Sequence, residues 1–186
     1  MIGPASPAAW RYVDRLAADA IARHHPICFD SAAMIALITR TEPVASLVRR
    51  LLRDIDVPIV ISTITLAEIV VRPARQGDLT RVRNIHSSLV ALPNVAVIDL
   101  DPAHAIETAI VRGLTSLRLP DAAIVATARL ANASALIGND RQWRHKPLSL
   151  AKSDGLPSLL SQVVEAMTPD LQRPSGMAAG PLLCRS

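Results

Sequence analysis

Apolar and polar positions follow two rhythms along the chain. Short, nearly unbroken apolar runs recur at "PICFD" (26–30), "VPIVIS" (57–62), "NVAVIDL" (94–100) and "SALIGND" (134–140). They are rich in β-branched residues and too short for helices, so they read as buried strands. Between them the apolar positions recur at helical spacing. Residues 7–24 set Trp10, Val13, Leu16, Ala17, Ala20 and Ile21 on one face. Further helices are predicted over 31–41, from Glu42-Pro43 to about Asp54, and from a cap at Ser62 or Thr63 to a stop between Pro73 and Gly77. A polar helix over 78–91 follows. Another runs from the Asp101-Pro102 cap to about Arg112, one from Leu119-Pro120-Asp121 through Ala131, and a last over 157–167.

Short buried strands alternating with helices argue for an α/β chain: three layers, α/β/α, around a mostly parallel sheet of four to five strands. The leading helix forms an extension over 1–25, the main domain covers 26–168, and the Pro- and Gly-rich segment 169–186 reads as a flexible tail. No internal repeat is present.

Composition narrows the function. Half of the 186 residues are hydrophobic, ample for one core, yet no apolar run reaches the ~20 residues that span a bilayer. Arg11, Asp14 and Arg15 interrupt the N-terminal stretch where a signal peptide needs an apolar core. A cytoplasmic protein with no membrane partner is expected. Cys28 and Cys184 form neither a disulfide framework nor a metal-ligand pair. The net charge is +4, and only Lys146 and Lys152 are lysine. Arg40, Arg49, Arg50, Arg53, Arg72, Arg75, Arg81 and Arg83 crowd the first half; Arg141, Arg144 and Lys146 form a second group. This balance suits a polyanion, although solvated helix faces would look the same. With only Trp10, Trp143, Tyr12 and Phe29, stacking platforms for bases are scarce. A nucleic acid would be gripped by backbone and shape.

Ligands of a parallel sheet bind where strands end and helices begin. Asp30 ends the first strand and Asp140 the fourth; Glu68 lies in the first turns of the helix after the second, and Asp121 starts the helix before the fourth. Singly, each has a plain reading: Asp121 answering a helix dipole, Asp140 in a turn, Glu68 in solvent, Asp30 capping a helix, sitting in water or holding a cation. Jointly they imply a cation, because carboxylates about 4 Å apart repel by roughly 4 kcal/mol at an effective dielectric near 20. Hard oxygen ligands suit Mg²⁺ or Mn²⁺, and with them hydrolysis of a phosphodiester. Phosphatases with an aspartyl nucleophile carry a second Asp two residues on, where this chain has Ala32. No GxGxxG or GxxxxGK phosphate loop occurs, and the five histidines show no ligand pairing.

"ICFDSAAMIAL", "ISTITLAEIVVRP" and "LRLPDAAIVATARLANASALIGNDRQW" together resemble the PIN-domain ribonucleases, and within them the VapC-type toxins of toxin–antitoxin pairs. The resemblance covers about 26–168. It implies a PIN-like nuclease domain whose acidic rim binds Mg²⁺ or Mn²⁺ and cleaves RNA. Asp30, Glu68, Asp121 and Asp140 match the family's four acids as catalytic, metal-holding residues, with Ser31 and Asn139 as helpers. It also implies a cognate antitoxin and a possible homodimer. Two positions depart: Gly138 stands where the usual Thr would, and Gln142 where many relatives carry a further Asp. One tightly bound ion is therefore the reading carried forward, with a non-catalytic PIN-like module binding RNA or a partner as the alternative.

Overall fold

The computed structural model describes residues 7–54 and 58–138. The helix predicted over 157–167, the tail, and the site candidates Asn139 and Asp140 lie outside the described residues. Four strands, β1 (Ile27–Phe29), β2 (Ile59–Ser62), β3 (Val95–Ile98) and β4 (Ala135–Ile137), form one sheet in the order β3-β2-β1-β4, with every neighbouring pair parallel. Seven helices are described: α1 (Pro7–Arg23), α2 (Ser31–Thr39), α3 (Val44–Asp54), α4 (Thr63–Arg75), α5 (Leu79–Val90), α6 (Pro102–Thr115) and α7 (Leu119–Leu130). The α/β class and the parallel sheet of the sequence reading are thus observed.

Side chains in a strand alternate between faces, and here both faces are covered. Ile27, Phe29, Ile59, Ile61, Ala135 and Ile137 pack on one side with Met34 of α2, Leu47 and Leu51 of α3 and Ile69 of α4. Val13, Leu16, Ala17 and Ala20 of α1 belong to this same core. Arg50 of α3 fixes that helix further, lying over the Trp10 ring at 5.3 Å and pairing with Asp14 at 2.8 Å. Cys28, Val60 and Leu136 point to the opposite face, against Val111, Ile124 and Val125. The burial of α7 is continuous from Ala122 to Ala128, because it lies between the sheet and α6. Its alanines let three layers close up around it.

Helix starts follow the predicted caps: Asp30 begins α2, Ser62 begins α4 and Asp101 begins α6. The strands are shorter than predicted, three or four residues each. Helix α6 is longer, running three residues past Arg112. It closes where Ser116 turns left-handed at φ 56° and its N–H donates to the Arg112 carbonyl at 2.8 Å.

Candidate active site

Parallel strands deliver all their carboxyl ends to one edge of the sheet, and the polar residues there become neighbours. Asp30 is the first residue past β1. Its N–H donates to the Ile137 carbonyl of β4 at 2.8 Å, which ties it to the adjoining strand end. Its side chain caps α2: Oδ1 accepts from the Ser31 N–H at 2.6 Å and from the Ser31 hydroxyl at 3.2 Å. Only 4% of Asp30 is exposed. It is therefore a helix cap, and it is not a solvated residue.

Ser62 performs the same service one strand over, its Oγ accepting from the Ile64 N–H at 3.2 Å. That cap fixes the start of α4, on which Glu68 sits half-buried in the second turn. Asp121, also half-buried, stands in the first turn of α7, just after Pro120. The electrostatics tie these three acids together. Burial pushes the Asp30 carboxyl up to about 6; the Ser31 N–H and hydroxyl oppose this, and the charges of Glu68 and Asp121 raise it further. Three of the four predicted acids thus meet electrostatically at one place.

Other groups of the region are otherwise engaged. Asp101 accepts from the His104 N–H at 2.8 Å and faces its Nδ1 at 2.8 Å. The His104 N–H, then its ring, hold that carboxyl below the usual range. Cys28 is buried on the far side of β1, and burial followed by the charge of Asp30 pushes its thiol up, so it is no nucleophile. Among the described residues, no three acids, histidines or cysteines form a ready-made metal cage. What is present is one deeply buried carboxylate flanked by two half-buried ones.

Next to the start of α7 lies an open cavity of about 770 Å³, lined by Thr108, Arg112, Ser116, Leu117, Arg118 and Leu119 among others. Neither arginine stood out in the sequence. The available signal was "RGLTSLR", two arginines either side of a turn between helices.

Residues 27–147 match the model of the PIN domain. The chain belongs to the PIN domain family. The matched segment contains Asp30, Glu68, Asp121 and Asp140 and begins just after α1. The PIN domain chain is similar to a toxin-antitoxin complex from Klebsiella pneumoniae, with 25% identity, a TM-score of 0.51, and 66% of this chain and 93% of that one covered. It is also similar to VapBC2 from Rickettsia felis bound to a DNA fragment from the promoter, with 16% identity, a TM-score of 0.52 and the same 66% and 93% coverage. At that identity the second likeness speaks for the PIN fold alone. No curated protein matches the chain. No helix among the described residues is long and apolar enough to cross a membrane.

Proposed function

We propose that this PIN domain is a metal-dependent endoribonuclease, the toxin of a toxin–antitoxin pair. The observation that carries the reading is the buried Asp30 carboxylate, raised to about 6 in the company of Glu68 and Asp121. A stable fold gains nothing from a buried acid flanked by two more, so their convergence points to a cation and a substrate. The donors fit a hard divalent ion, Mg²⁺ or Mn²⁺, since all are carboxylate oxygens with the Ser31 hydroxyl beside them. Asp140 follows Gly138 by two residues, and Gly138 follows the Ile137 that binds Asp30, so Asp140 is proposed as the fourth acid and Asn139 as its neighbour. When bound, the ion supplies positive charge to the phosphate oxygens and acidifies an attacking water. The protein's own part is to hold the carboxylates rigid: Asp30 through its cap and strand, Glu68 through the Ser62 cap, Asp121 through α7. The toxin part of the reading is supported by family membership and by the likeness to a toxin-antitoxin complex. It brings an antitoxin as partner and allows a homodimer.

A second reading, a PIN-like module that binds RNA or a partner without cutting, is favoured by Gly138, by Gln142, and by the lack of a ready-made cage among the described residues. Calorimetric titration with Mn²⁺, run beside an RNA cleavage assay with and without EDTA, separates the two. The nuclease reading expects Mn²⁺ binding and EDTA-sensitive cleavage. RNA bound but uncut, with no heat from Mn²⁺, would establish the binding module instead.

A further inference from the structure

The cavity beside α7 holds charge that the acidic rim does not use. Arg112 closes the last turn of α6 and Arg118 is the cap residue of α7. The left-handed turn at Ser116 reverses the chain between them, so that both line the same cavity. Both are exposed, and among the described residues neither guanidinium is in an ion pair with a carboxylate. Arg118 makes no side-chain capping bond to α7, which leaves the start of that helix without an acceptor from its own cap. On the cavity wall, Thr108 is 5% exposed, and its hydroxyl has no hydrogen-bond partner among the described residues. Among the described residues, no aromatic or acidic one lines the space.

Two unpaired planar forks on one cavity suit the oxygens of phosphate groups. The lack of aromatic side chains speaks against base stacking. Arg118 precedes Asp121 by three residues, which puts this arginine within one helical turn of a rim acid. We infer that Arg112 and Arg118 bind the sugar–phosphate backbone of the RNA strand immediately next to the scissile bond, holding it in register across the first turn of α7. This rests on the nuclease reading, which supplies the strand and the position of the cut. These are positioning residues: they set where the strand lies and leave the chemistry to the acids. Ala105, Ala109, Leu117 and Leu119 give the cavity apolar wall beside the two arginines, so an acidic peptide from a partner protein is the competing occupant.

The test uses the full-length chain and a labelled single-stranded RNA of about twelve nucleotides, with binding followed by anisotropy in EDTA so that nothing is cut. Each phosphate contact contributes about 0.7 to the slope of log affinity against log salt for a single strand. Arg112→Ala and Arg118→Ala are each expected to lower the slope by about 0.7, and the double variant by about 1.4. Arg81→Ala, exposed on α5, is expected to leave the slope unchanged. In Mn²⁺ the double variant should raise KM with kcat and the melting temperature kept, and Arg118→Lys should restore part of the binding but less of the positioning. An unchanged slope and KM in the double variant overturns the inference while leaving the nuclease reading intact. So does loss of antitoxin binding with RNA binding unaffected, which assigns the cavity to a protein. RNA binding through the two arginines without any cleavage would sink the nuclease reading alone, and a wild-type chain that binds no RNA would sink both.

Discussion

Replacing Asp30 by Asn removes the charge of the most buried of the described acids at the sheet edge while keeping its shape. The folded carboxyl titrates at about 6, against 3.8 for the unperturbed group, so folded and unfolded chains differ by about two pH units at about 1.4 kcal/mol each. The sign follows from the raised value. The folded chain holds this proton more tightly than the unfolded one. Its stabilising effect is therefore complete below about 3.8 and is lost as pH rises through about 6. At pH 7.5 in EDTA the wild-type chain carries a buried charge that costs up to about 3 kcal/mol. Asn escapes this cost and still accepts the Ser31 N–H, since Asn and Asp cap helices about equally well. Asp30→Asn is expected to be more stable than wild type at pH 7.5 by up to about 3 kcal/mol. For a chain of this length that is a melting shift of at most about 6–12 °C. Near pH 4 the two proteins should converge. Urea unfolding at both pH values in EDTA reads the difference directly. With Mn²⁺ at pH 7.5 the order should narrow or reverse, because only wild type gains stability from the ion. Asp30→Asn no more stable than wild type at pH 7.5 in EDTA, with parallel pH profiles, would refute the reasoning.

Three further outcomes are expected. Mn²⁺ affinity, measured by calorimetry, should fall about tenfold per pH unit below about 6, as the proton on Asp30 competes with the ion. Ser62→Ala removes the cap of α4 and should cost about 1 kcal/mol in chemical denaturation; cleavage should suffer beyond that, because the cap also sets where Glu68 stands. Ile124→Ala empties a fully buried position between the sheet and α6, and unfolding should show a loss of about 2–5 kcal/mol with Mn²⁺ binding retained after refolding.

The caps and strands were legible because their signals are local. An Asp or Ser directly after an apolar run both ends a strand and starts a helix, and Asp30, Ser62 and Asp101 do this where expected. Bringing Asp30, Glu68 and Asp121 toward one edge followed from the parallel sheet, and Glu68 and Asp121 do act on Asp30. Capping and cation binding looked like alternatives for Asp30, yet one oxygen can serve the cap while the carboxylate faces the other acids. The length of α6 was misjudged because its end depends on the backbone turn at Ser116, where no glycine or proline marks the stop. Arg112 and Arg118 were illegible for the same reason: only that turn brings them to one cavity.

The acids at the sheet edge are proposed as the catalytic centre of a metal-dependent ribonuclease, a role open to one direct measurement. Cleavage of labelled RNA by wild type and Asp121→Asn in Mn²⁺, with an EDTA control, addresses it most directly. Wild type is expected to cleave, and cleavage is expected to disappear in EDTA and in Asp121→Asn, at unchanged folding by circular dichroism. Cleavage that persisted in Asp121→Asn would contradict it.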